Sequence, residues 1–210
     1  MTCNFSRKLC IVLASGVLLG GCTTAGIHQK RADRFYSDGE YSRAAVEYQK
    51  LLEVEPDIYD TYMNLGLCFE NDKDYVKACA SFEKALALRP LLPNPLEHRG
   101  LCLEKLGQIE ASRAAYEKLL SVAPQNPKGL VALADLEFEA REYAKAETHY
   151  RAYLEQKPED LARQVSLGAA LAAQGRYQTA IDVLKQVLKQ DPKQIGAHYN
   201  LGVAALGAGQ

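Results

Sequence analysis

Tryptophan is absent from this chain of 210 residues, and the 15 glycines and 8 prolines form no biased tract. Collagen-like and low-complexity architectures are excluded on that ground. An excess of one charge is also missing. Lysine and arginine total 25 against 26 acids, a formal charge of −1, so there is no general electrostatic drive toward nucleic acid. Long hydrophobic runs are missing as well. The apolar stretch Leu9 to Leu19 reaches only about half of a hydrocarbon core roughly 30 Å thick. Catalytic patterns are lacking too. His28, His98, His149 and His198 are scattered and have no i, i+4 partner for zinc. No serine or cysteine sits in a nucleophile-elbow context. The chain therefore reads as no enzyme, with no cofactor, metal or small-molecule substrate. What remains is 48% apolar and 24% charged, the balance of a globular protein with one domain or a short repeat array.

The first 21 residues read as an address. Arg7 and Lys8 precede the short apolar run, and small residues follow it, as in a secretory signal. The sequence Leu19-Gly20-Gly21-Cys22 resembles the bacterial lipobox, which implies cleavage before Cys22 and acylation of that cysteine. An aspartate after the cysteine favours inner-membrane retention in Gram-negative lipoproteins; Thr23 stands there, so the resemblance points to the outer membrane, facing the periplasm. Loss of Arg7 and Lys8 with residues 1–21, which hold no acid, takes the charge from −1 to −3. Residues 22–24 then form a short tether. Cys3 and Cys10 leave with the signal. Cys68, Cys79 and Cys102 read as small buried apolar residues, with Cys79 and Cys102 the one pair worth testing for a bridge.

The rest is organised by a period of 34. Pro56, Pro90, Pro124, Pro158 and Pro192 are evenly spaced. The same frame gives units 25–58, 59–92, 93–126, 127–160 and 161–194, with 195–210 beginning a sixth. Unit position 8 is small (Ala32, Gly66, Gly100, Ala134, Gly168, Gly202), as is position 20 (Ala44, Ala78, Ser112, Ala146, Ala180). Position 24 is large: Tyr48, Phe82, Tyr116, Tyr150 and Leu184. A small pair on facing helices lets them approach, and the large residue fills the space left. The proline forbids helical continuation, and Asn94 and Asn126-Pro127 read as starts of the following helices.

This pattern resembles the tetratricopeptide repeat (TPR), and Tyr62-x2-Leu65-Gly66-x2-Phe69, Ala78-x3-Phe82 and Pro90 of unit two match it nearly throughout. The resemblance implies an all-α solenoid of helix-turn-helix units, five full units plus a C-terminal half unit, over residues 25–210. There are departures. Arg31 and Arg99 occupy position 7, normally aliphatic, and Glu137 occupies position 11, normally aromatic. Unit one is expected to be a cap with Arg31 on a solvated end; Arg99 and Glu137 either pair or snorkel separately.

In TPR proteins the first helix of each unit lines a concave groove. On that basis units one to three offer a mixed, acidic surface. Units four to six offer Val131, Phe138, Val165, Ala169, Ala172, Tyr199 and Val203 as an apolar partner groove, suited to an amphipathic helix or tail. A lipobox followed directly by TPR units resembles outer-membrane TPR lipoproteins, among them the secretin pilotins of type IV pili and TadD of the tight-adherence (Flp) pilus. That resemblance implies a scaffold for pilus or secretin assembly whose partner is a secretin subunit, with an adaptor for peptidoglycan hydrolases as the alternative.

Overall fold

In a computed structural model, residues 23–209 are described, so Cys22 and the signal segment lie outside the described residues. Eleven α-helices follow one another: α1 (Thr24–Ser37), α2 (Tyr41–Val54), α3 (Tyr59–Asn71), α4 (Tyr75–Leu88), α5 (Pro93–Lys105), α6 (Ile109–Val122), α7 (Pro127–Glu139), α8 (Tyr143–Gln156), α9 (Leu161–Ala173), α10 (Tyr177–Gln190) and α11 (Ile195–Gly207). Each helix packs on its successor, and α9 also packs on α11. The result is the all-α TPR solenoid that the repeat implies.

The small-large rule shows directly in the packing. A Cβ placed on Gly66 would lie 2.5 Å from the Phe82 ring, one on Gly100 2.6 Å from the Tyr116 ring, and one on Gly168 2.7 Å from Leu184. These three position-8 glycines thus make the room that their position-24 partners fill. Stacking then joins the units: Leu65 and Cys68 bury themselves against Ala44, Ala45 and Tyr48 of the unit before, and Leu133 and Leu136 against Tyr116 and Leu119. No unit buries its apolar face by itself, because part of that face packs on the neighbour.

The turn inside each unit depends on position 15, where the backbone enters the left-handed region. Glycine occupies it at Gly39, Gly107, Gly175 and Gly209, but Lys73 and Arg141 adopt φ of 61° and 63° there. Three expectations change at this level. Asn94 caps nothing: α5 begins at Pro93 after Leu92, whereas Asn126 does cap α7, accepting from Gly129 N at 2.8 Å. Helix α1 already includes Thr24, with the Thr23 hydroxyl as its cap at 3.1 Å from Gly26 N, so the segment between Cys22 and the first helix is a single residue. Arg99 and Glu137 do not pair. Arg99 reaches Glu83 at 3.1 Å, and Glu137 bonds His149 at 2.7 Å.

Candidate functional site

The first helices of the middle units line one concavity. It spans α5, α7 and α9 with a volume of about 520 Å³, and Leu101, Val131 and Ala132 give it an apolar lining. Charge frames that lining. Glu70, Glu97, Glu104, Asp135 and Asp160 line it against Lys128, Lys157 and Arg163, a net −2 with His98 neutral. A smaller cavity of about 200 Å³ continues from it, sharing Glu104, Ala132 and Asp135 and adding Ile109, Leu136 and Glu139.

Most of these charges are held in place by the next unit or by a tyrosine from the helix behind. Lys128 reaches back to Glu97 at 2.6 Å, and Asn126 supports the same carboxylate at 3.1 Å. Arg163 grips both oxygens of Asp135 at 3.0 Å, while the Tyr150 hydroxyl donates to Asp135 at 2.6 Å. Unit one repeats this last bond with Tyr48 donating to Asp33 at 2.7 Å. Burial pushes the Tyr48 and Tyr150 phenols far up, and their aspartate partners push the same way, so both remain donors at any physiological pH. His98 stacks on Phe82 at 5.2 Å between ring centroids and bonds Glu70 at 2.9 Å. Glu104 is the least satisfied carboxylate of the lining. Its neighbours are the Tyr116 hydroxyl at 3.5 Å and Lys105 at 4.0 Å, both at the limit of an effective bond.

Of the seven residues expected to form the apolar groove, one lines the concavity described above, and the others lie elsewhere along the first helices. Val131 lines the concavity. Phe138 is half-buried against the core of units four and five, edge-on to Tyr143 at 5.3 Å, so it does not project free of its own unit. Val165 is half-buried beside Leu184 and Ala197, and Ala172 is buried within the core. Ala169 is half-buried. Tyr199 and Val203 are the exposed pair, at 72% and 44%, on α11. The sequence frame missed the Asp-to-Tyr bonds. The signal was present as aspartate at position 9 with tyrosine at position 24 in units one and four.

The cysteines fit no catalytic role. Cys68, Cys79 and Cys102 are free and buried, and burial pushes the Cys68 and Cys102 thiols up to about 12, where no thiolate forms at neutral pH. Among the described residues no cluster of three or more His, Cys, Asp or Glu could hold a metal ion, and no helix is long and apolar enough to cross a membrane.

A stack of helix pairs with a mixed-charge inner concavity defines a protein-binding helical-repeat scaffold. Family models for the tetratricopeptide repeat match residues 30–93 and 99–160, and a TPR repeat model matches 168–209. The chain belongs to the tetratricopeptide repeat family. Among solved structures it is similar to the MamA protein (20% identity, TM-score 0.74, covering 81% of this chain and 93% of that one). A tetratricopeptide repeat protein from Parabacteroides merdae is similar at 18% identity and TM-score 0.76, covering 89% and 74%. YrrB, described as a TPR protein with an unusual peptide-binding site, is similar at 20% identity and TM-score 0.72, covering 82% and 89%. No curated protein matches the chain in sequence.

Proposed function

We propose that this protein is a lipid-anchored scaffold that holds a segment of a partner protein in the concavity across α5, α7 and α9. The observation carrying the reading is the apolar surface of Leu101, Val131 and Ala132 within a frame of opposite charges. Apolar contact supplies affinity there, and fixed charges select orientation and partner. The net negative lining and the underused Glu104 carboxylate favour a partner segment carrying lysine or arginine. YrrB, of the same fold, is described as having a peptide-binding site, which supports a peptide in this kind of groove.

The lipobox at Leu19 to Cys22 supports anchoring through acylated Cys22, and Thr23 supports the outer membrane, with the array facing the periplasm. A secretin subunit of a type IV or Flp/Tad pilus is the partner we assign, by resemblance to TPR lipoproteins of that class. Pulldown from detergent-solubilised membranes tests the reading. Val131→Asp puts a charge into the apolar lining and lowers recovery of the partner about tenfold or more, the loss of one buried aliphatic contact. Val76→Asp, at a 65% exposed site on α4, leaves recovery unchanged. Equal recovery with both variants rejects the concavity as the site. A murein hydrolase recovered in place of a secretin keeps the groove and rejects the pilus assignment.

A further inference from the structure

The outward face of unit one is built from positions that other units use for contact with a neighbour. At positions 7 and 10, Leu65 and Cys68 of unit two and Leu133 and Leu136 of unit four are buried against the preceding unit. Unit one carries Arg31 and Arg34 there, both exposed. Arg43 of α2 joins them, its guanidinium 4.1 Å over the Phe35 ring. Together with Phe35 and the 48% exposed Val46 they frame a cavity of about 690 Å³. Glu47 is the carboxylate lining it, and that group is already engaged by His28 and Lys50, each at 2.7 Å. At the rim, Arg34 lies 3.7 Å from Asp38 and Arg43 bonds Glu40, pairs so open to solvent that their attraction is largely screened. Arg31 makes no ion pair among the described residues.

A polar cap is enough to end a solenoid, but polarity alone does not call for three guanidiniums around one cavity. The repeat itself shows what an arginine at position 7 does when something covers it: Arg99 of unit three meets the Glu83 carboxylate of the preceding helix at 3.1 Å. Arg31 stands in the same register with no such carboxylate beside it among the described residues.

We propose that this end face rests on the bilayer, with Arg31, Arg34 and Arg43 holding the phosphodiester groups of anionic phospholipids and with Val46 at the interface beside them. The proposal rests on the anchor at Cys22, and chain length selects the occupant. Thr23 caps α1, which begins at Thr24, so one residue, spanning about 3.5 Å, joins the acylated position to a rigid helix. Arg31 and Arg34 then lie about 10 and 15 Å along that helix, so the bilayer is the surface within reach of this face. Guanidinium forks match phosphate oxygens in a bidentate geometry. A few basic residues bind anionic membranes only weakly by themselves. Their effect here is to orient a chain that is already anchored, which fixes the direction in which the partner groove faces.

The test uses the full-length lipidated protein purified from membranes, with Val46→Cys labelled by a polarity-sensitive fluorophore; the native thiols are buried and stay unlabelled. Reconstituted into phosphatidylcholine vesicles containing phosphatidylglycerol, the probe shifts to the blue; in phosphatidylcholine alone it does not. The shift is lost in 0.5 M salt and in the Arg31→Gln, Arg34→Gln double variant, whose circular dichroism is unchanged because both side chains are exposed. A probe at Val76→Cys stays unshifted throughout. A Val46→Cys probe that is blind to lipid charge overturns the proposal. So does a shift produced by poly-glutamate but not by vesicles, which would assign the face to an acidic protein. Flotation keeps the two readings apart. Protein that floats with an unshifted probe overturns the end-face proposal alone, whereas lipid-free protein that fails to float overturns the anchor and the end face with it.

Discussion

Gly66 and Gly202 occupy the same register position in units two and six, yet their surroundings are opposite. A Cβ on Gly66 would lie 2.5 Å from the Phe82 ring, while one on Gly202 would meet nothing within 4 Å. The same contrast separates Leu65, 6% exposed between two units, from Arg31, exposed at the outer face of unit one. Inside the stack a repeat position is consumed by a neighbour. Where no neighbour packs against it, the position is open, and its chemistry is available to something else. A periodic sequence announces the position but not whether a neighbour has claimed it.

The largest effect that sharpens this contrast concerns two acids that bond across helices. Glu137 has a side chain only 4% exposed and bonds His149, whereas Glu83, which receives Arg99, is 55% exposed. Glu137→Ala leaves a half-buried imidazole without its acceptor and opens a small void, at a cost of about 1–3 kcal/mol. Glu83→Ala costs less than about 1 kcal/mol, because its pair is largely solvated. Urea denaturation of both variants at pH 7 makes the comparison, and equal midpoints would show that burial does not separate the two pairs.

Next comes the glycine pair itself. Gly66→Ala forces the Phe82 ring aside, an overpacking cost of about 1–3 kcal/mol set against a helix-propensity gain of about 1 kcal/mol. Gly202→Ala keeps the gain without the clash, so it raises stability by up to about 1 kcal/mol. Opposite signs in thermal melts are expected. A Gly66→Ala protein as stable as the parent would show that the ring has room to move.

The fold was legible because its determinants are periodic. Proline at position 32, small residues at 8 and 20 and a large one at 24 are each sufficient to place a helix end or a close approach. The site was less legible for a physical reason. The concave positions were identified by register, but their exposure depends on what packs from the next unit. Phe138 looked like a groove residue and instead packs edge-on to Tyr143, and Ala172 is in the core. The acids of unit three read as a plain charged surface, whereas Lys128 of the next unit fixes Glu97, and Arg163 of unit five does the same for Asp135 of unit four, which frames the concavity. Arg99 and Glu137 were recognised as departures from the pattern, but their partners, Glu83 and His149, lie on second helices that the concave frame does not include.

The smallest effect concerns the turn at position 15, where the repeat tolerates two kinds of residue at unequal cost. Gly107 adopts φ of 70° and Arg141 adopts φ of 63° at equivalent places in units three and four. A left-handed conformation sets the Cβ of an L-residue against its own carbonyl, at a cost of about 1 kcal/mol, and glycine escapes it for want of a Cβ. Arg141 is exposed and makes no ion pair among the described residues, so removing its side chain forfeits little in exchange. Glycine's greater freedom in the unfolded chain takes back part of the gain. Arg141→Gly is therefore expected to raise stability by about 0.5 kcal/mol, and Gly107→Arg to lower it by about 1 kcal/mol or slightly more. The two are read as shifts in the urea midpoint at constant slope. If Gly107→Arg left the midpoint unmoved, the turn would carry no strain, and arginine in unit four would owe nothing to the relaxed demands of its position.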